Sequence, residues 1–329
     1  MRRRNFIAGL GSATFTLPLT ARAQKAERVR RVGVLMNLAA DDPEGKIRSD
    51  ALVNALQEMG WIDGRNLLLD YRWGAGDAGL FRKYAEELVA LAPEVILATG
   101  TPVVEALQRV TRTVPIVFVT VVDPVYAGFV ESLARPGGNT TGFTLFEFSM
   151  CGKWVEFLKE VKPQVTRAAV LWDPTLASGT GQLAAIQAVA PSFGIELIAI
   201  DVHDAGAVER SVAEFAKTAN GGMIVTASTL TLVHRKVIIA LAERHRLPAI
   251  YGDRTFAAAG GLISYGPNRV DPYRRAASYL NRILKGEKPS DLPVQAPTKY
   301  ELAINLNAAN GLGLTLPLTL LNRADEVIE

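Results

Sequence analysis

One cysteine, three histidines and an aromatic content of 7% leave this 329-residue chain short of the groups from which most metal, redox and nucleic-acid sites are built. Cys151 alone can form no internal disulfide, and with His203, His234 and His245 it makes no metal-ligand spacing. His234 and His245 fall in one helical stretch among Arg and Lys and read as solvated helix residues rather than catalytic bases. No G-x-G-x-x-G follows any strand, and LATGTP (residues 97–102) puts a proline where a phosphate-binding N–H would be needed, which argues against a dinucleotide enzyme. A hydrolase would need a G-x-S-x-G elbow, and none is present. The net charge of +3 comes from scattered residues; the densest group, Arg2-Arg3-Arg4, has no interleaved aromatics, so nucleic acid is not a supported partner.

The first residues read as an address rather than as fold. Arg2 to Arg4 form a basic start, residues 7–19 a modest apolar run, and Ala21-Arg22-Ala23 a small-x-small cleavage site. Arg3-Arg4-Asn5-Phe6-Ile7 has the form of a twin-arginine export signal, with ordinary secretion as the alternative. The apolar run is too short and too rich in Gly, Ser and Thr to span a bilayer, and no later segment does. Cleavage after Ala23 and a periplasmic, soluble product are expected.

What the rest of the chain has in quantity is alternation. Apolar strands are expected at residues 32–36, 66–73, 95–98, 115–122 and 139–144, with helices at 47–59, 80–91, 102–113 and 126–133 between them. The pattern then starts again: strands at 167–172, 196–200, 223–225, 248–251 and 262–265, helices at 154–161, 182–193, 208–218 and 232–245. Strands alternating with helices give a doubly wound parallel sheet, and two such runs give two lobes facing a cleft. A helix at 271–284, a Pro-rich crossing at 286–297 and a strand at 298–305 imply that the chain returns to lobe one and then to lobe two. The fold class is therefore α/β, two doubly wound parallel-sheet lobes joined by a multi-strand hinge. The expected division is 30–143 plus 267–290 for lobe one and 144–266 plus 296–329 for lobe two.

Residues 94–125 are the centre of this plan. The strand at 95–98 runs into Thr99-Gly100-Thr101-Pro102, where Thr101 suits a helix N-cap and Pro102 the first helical position. The next strand is broken at its carboxyl end by Asp123-Pro124. Ligands of open α/β sheets bind outside the carboxyl ends of strands, so the helix N–H groups and Asp123 are expected to face one crevice.

With these residues assembled, the chain resembles the substrate-binding proteins of ABC transporters of the tryptophan/tyrosine-binding type, with a type I periplasmic-binding fold. The matches are ALVNALQEMGWIDGRNLLLDYRW, LATGTP, VPIVFVTVVDPV, LARPGGNTTGFT, LPAIYGDRTFAAAGGLISYGPN and the segment from Tyr273 to Leu314; they span nearly the whole mature chain. The family pattern has a small residue in place of Val121 or Val122, a minor departure. The resemblance implies a non-enzymatic protein, a monomer without cofactor or metal, that captures a small molecule between its lobes and delivers it to the membrane subunits of an ABC permease. It places the ligand among Asn37, Thr99, Gly100, Thr101 and Asp123 of lobe one and Trp172, Asp173, Ser228, Thr229, Tyr251, Asp253 and Tyr265 of lobe two. A ligand carboxylate would sit at 101–103, an amino group at Asp123 or Asp253, and an apolar body against Trp172, Tyr251 or Tyr265. An aromatic amino acid and another small carboxylate both suit this set. Two other functions remain open at this point: a ligand-sensing module for a signalling receptor, and an α/β-fold enzyme.

Overall fold

Strands buried on both faces require unbroken apolar runs, and Val95–Thr99, Ile116–Val121 and Gly221–Val225 are buried at every position. The computed structural model describes residues 29–329, so the export signal expected at 1–23 lies outside the described residues. In lobe one the chain runs β1 (Arg30–Met36), α1 (Pro43–Glu58), β2 (Leu67–Trp73), α2 (Ala78–Ala90), β3 (Val95–Thr99), α3 (Thr101–Val110), β4 (Ile116–Val121) and β5 (Thr140–Thr144). These strands form one parallel sheet in the order β2-β1-β3-β4-β5.

Local chemistry explains where this differs from the periodicity. α1 starts four residues before the expected 47, because Asp42 accepts a bond from the Glu44 N–H and Pro43 takes the first helical position. The cap of α3 is Gly100 rather than Thr101, which is already helical. Gly100 sits at φ +82, and a Cβ there would stand 3.1 Å from Asn37 Nδ2. Residues 126–133 form turns instead of a helix; Gly128 takes φ +72, which ends any helical run.

Lobe two begins after a 3₁₀ turn with α4 (Gly152–Val161) and continues β6 (Arg167–Trp172), α5 (Ala177–Val189), β7 (Glu196–Asp201), α6 (Ala205–Phe215), β8 (Gly221–Val225), α7 (Thr229–Val233), α8 (Arg235–Arg244), β9 (Ala249–Tyr251), α9 (Arg254–Ala258) and β10 (Ile263–Pro267). The single helix expected at 232–245 is two helices, parted at His234; His245 is the C-cap of the second. α5 starts earlier than expected because Gly179 packs directly on residue 173, where a Cβ would lie 1.8 Å from the Asp173 carbonyl oxygen. Cys151 is fully buried, and burial pushes its thiol far above the ordinary range.

The chain then leaves lobe two. α10 (Asp271–Leu284) packs on α1, placing Tyr273, Ala276 and Leu280 in one core with Leu52 and Leu56. It returns through residues 285–299 to β11 (Tyr300–Asn305), which adds antiparallel to β10; α11 (Leu306–Gly311), α12 (Leu318–Leu321) and β12 (Glu326–Ile328) complete the lobe. The second sheet has the order β12-β11-β10-β9-β8-β6-β7. The crossing segments bond to one another: Thr144 N donates to the Gln295 carbonyl, and Gln295 N to the Gly142 carbonyl, each at 2.9 Å. Three chain segments connected in this way make a hinge rather than a loose tether.

Candidate functional site

The carboxyl ends of β1, β3 and β4 face the loops after β6 and β8 across the gap between lobes, and the gap is closed. Leu38, just past β1, is wholly buried in the core of lobe two with Leu171, Leu232 and Tyr251. Asn37 Nδ2 donates to Thr229 Oγ1 at 2.9 Å. Asp42 pairs with Arg235 at 2.9 Å, both side chains nearly buried. Burying a leucine side chain is worth roughly 1.5–3 kcal/mol, a contribution to the closed form that needs no solute.

Inside the closure lies a cavity of about 20 Å³, with room for about one or two water molecules. Thr101, Thr120 and Ser178 line it, and their hydroxyls have no hydrogen-bond partner among the described residues. Leu145, Leu176, Val122 and Ala227 supply its apolar wall. Arg269 is the one charged residue lining it, its side chain 10% exposed. No carboxylate lines it. The ten-residue α3 and the thirteen-residue α5 both begin at this cavity and add the partial positive charge of their first N–H groups. Such a lining offers hydrogen-bond donors and partial positive charge to a small ligand.

Two features fix this lining. Gln182 is fully buried and clamps residue 227, donating to its carbonyl at 3.0 Å and accepting from its N–H at 2.9 Å. Thr120 takes φ +57 at an irregularity where the register of β4 with β5 shifts. A β-branched residue there stores on the order of 1–3 kcal/mol of strain, a mark of a position held for its side-chain direction.

Of the residues singled out in the sequence, Asn37, Gly100, Thr101, Ser228 and Thr229 line this cavity. Thr99 lies behind them, wholly buried, where its hydroxyl accepts from Asn37 N (2.7 Å) and donates to Asn37 Oδ1 (3.1 Å). Ser228 also caps α7, accepting from Thr231 N at 3.0 Å. The others stand elsewhere. Asp123, at φ +41, accepts from Tyr126 N at 3.1 Å and holds the turn after β4. Asp253 caps α9 and forms a 2.7 Å ion pair with Arg269, whose N–H is not aligned on the oxygen, with Arg48 at 3.9 Å. Burial raises the Asp253 carboxyl, but the two guanidinium groups and Thr255 outweigh it and hold it below the usual range.

The three aromatic residues are structural by position. Tyr251 is fully buried and stacks on Phe256 at 4.6 Å; Tyr265 stacks on Tyr300 and meets Phe157 at a tilt; Trp172 packs on the same core as Trp154. Asp173 is buried at a second, larger cavity, accepting from Thr175 N and Oγ1. Sequence reasoning missed the polar lining residues Thr120, Ser178 and Arg269 and the apolar ones Val122, Leu145, Leu176 and Ala227. Only Arg269 had a visible signal, a lone arginine in a chain crossing immediately after a strand. Among the described residues no group of three or more His, Cys, Asp or Glu could hold a metal ion, and no helix is long and apolar enough to cross a membrane.

Residues 32–328 match the family described as ABC transporter substrate binding protein. A relative, the tyrosine-binding protein of Clostridioides difficile, is 21% identical over 291 residues, covering 88% of this chain and 84% of its own. A conserved domain protein from Vibrio cholerae superposes with a TM-score of 0.85 at 27% identity, covering 91% of this chain and 100% of the other. The ABC domain of a Streptococcus pneumonia protein in complex with L-Trp gives a TM-score of 0.83 at 23% identity (91% and 99% covered). The ligand-free, open structure of a substrate binding protein from Clostridium difficile gives 0.66, also at 23% identity (91% and 99%).

Proposed function

The chain belongs to the ABC transporter substrate-binding protein family, and we propose that it captures a small organic carboxylate between its lobes and hands it to an ABC-type permease. The observation that carries the ligand class is the cavity lining: one guanidinium, two helix N-termini, three unpartnered hydroxyls and no acid. An anion gains charge-assisted bonds there, whereas an ammonium meets hydroxyl oxygens but no carboxylate. The tyrosine- and tryptophan-binding relatives support a solute with a carboxylate head. The resemblance to an export signal supports a periplasmic location, where such a protein meets its permease. Binding and release, without a reaction, is the whole of the proposed role.

Calorimetric titration of the parent and Arg269→Gln against carboxylates and their amides tests this. The variant should lose about tenfold to a hundredfold in carboxylate affinity, the equivalent of one charge-assisted bond. Amides that bind as tightly as the acids would show that no anion is recognised.

A further inference from the structure

A cavity of about 20 Å³ holds a carboxylate head and little more. Next to it, on the side of α2 and α3, is a chamber of about 440 Å³ that also spans the lobes. Pro102, Leu176 and Thr229 line both spaces, so these three residues form the partition between them. Beyond the partition Phe81, Ala106 and Leu230 give the chamber an apolar wall, the buried Asp173 borders it, and the charged side chains of Asp77, Arg82, Glu105 and Arg109 also line it. The walls come from both lobes, so the chamber exists only while the lobes are closed.

We propose that the solute occupies both spaces: its carboxylate lies in the inner cavity against Arg269, and an apolar body passes Leu176 into the outer chamber. This rests on the carboxylate reading and deepens it, because it assigns the solute an extended shape, an aryl- or alkyl-substituted carboxylate rather than a compact one. Lobe closure then reads the head and the body at different places. The inner cavity sets the charge, and the outer chamber sets the length.

The test uses acetate, 3-phenylpropanoate and 3-phenylpropanamide as probes, titrated into the parent, Ala78→Trp and Thr175→Trp. Both substituted positions are exposed and line the outer chamber from opposite lobes, so a bulky ring fills that space without entering the core. In the parent, 3-phenylpropanoate should bind about thirtyfold or more tighter than acetate, the ratio expected when roughly 100 Å² of apolar surface leaves water. Either tryptophan should bring that ratio below about threefold. Equal affinity for the two acids in the parent, or a ratio that both variants leave intact, overturns the two-chamber reading. An amide that matches its acid while the variants still weaken it overturns the carboxylate reading and leaves the chamber standing. Binding of none of the three probes overturns both.

Discussion

Two strand ends in this protein have the same outline and opposite fates. Thr99-Gly100-Thr101 ends β3 in lobe one, and Tyr251-Gly252-Asp253 ends β9 in lobe two; each is a buried strand, a glycine and a polar residue. The first leaves the Thr101 hydroxyl unpartnered against an inter-lobe cavity. At the second, Asp253 is consumed by its own protein: it caps α9, pairs with Arg269 and lies 3.9 Å from Arg48 of lobe one. The difference is what surrounds each end. A carboxylate with two buried guanidinium groups in reach is held within the fold, and of the pair it is Arg269, not Asp253, that also lines the cavity. The comparison implies that the first end governs binding and the second governs stability.

The largest effect should come from Asp253→Asn. Removing one partner of a buried ion pair costs about 3–5 kcal/mol, because the guanidinium groups stay buried without compensation. Urea unfolding of the two proteins at neutral pH measures it; a change under about 1 kcal/mol would erase the distinction between the strand ends. The pH dependence sharpens the point. Because the folded-state value of Asp253 is depressed, its contribution is fully present above the ordinary value of 3.8 and is lost as pH falls through the folded-state value. The difference between parent and variant should therefore be flat from neutrality down to mild acid and shrink below 3.8.

A smaller effect is expected from Gly100→Ala. The residue holds φ +82, and its Cβ would approach Asn37 Nδ2 and Thr229 Oγ1, the two groups that bond across the lobes. The crowding against Thr229 is met only when the lobes close, so affinity for a carboxylate should drop, by up to about tenfold if it costs about 1.4 kcal/mol. A titration that returns the parent affinity would mean that this strand end is as structural as the other.

Thr101→Val should be the mildest. The methyl replaces a hydroxyl at nearly constant volume, and the first N–H groups of α3 remain. One neutral hydrogen bond is worth about 0.5–1.5 kcal/mol, so calorimetry should show a loss of a few-fold with the urea midpoint unmoved.

The two sheets were legible in the sequence because parallel strands buried on both faces must be apolar throughout, and β3, β4 and β8 are. The return of the chain was legible for the same reason, since the face of α10 that meets α1 is strongly patterned. Helix starts were less so. α5 begins in Ala177-Ser178-Gly179-Thr180-Gly181, where small residues carry no periodic signal and the close packing on residue 173 makes the helix. The site was half legible. Strand-end geometry found Asn37, Gly100, Thr101 and Thr229, which local sequence places there. It could not find Thr120, whose left-handed backbone is imposed by the shift in β4, or Arg269, which reaches the cavity only because three crossings bring the lobes together. It also set Tyr251 and Tyr265 at the cleft, although each ring packs on an aromatic neighbour and neither lines the cavity. Alternation along a strand decides which face a ring takes, and in β9 all three residues are apolar and buried, so the pattern singles out neither face.

Closure of the lobes over a carboxylate is the central claim, and an inter-lobe distance tests it most directly. Spin labels at Lys83→Cys on α2 and Lys236→Cys on α8 report across the opening from exposed positions, and the native Cys151 is fully buried. Pulsed electron resonance should give a broad or two-peaked distance distribution without solute and one short, narrow peak with saturating 3-phenylpropanoate, a shift in population toward the state with the better contacts. A distribution that saturating carboxylate leaves unchanged would contradict the account.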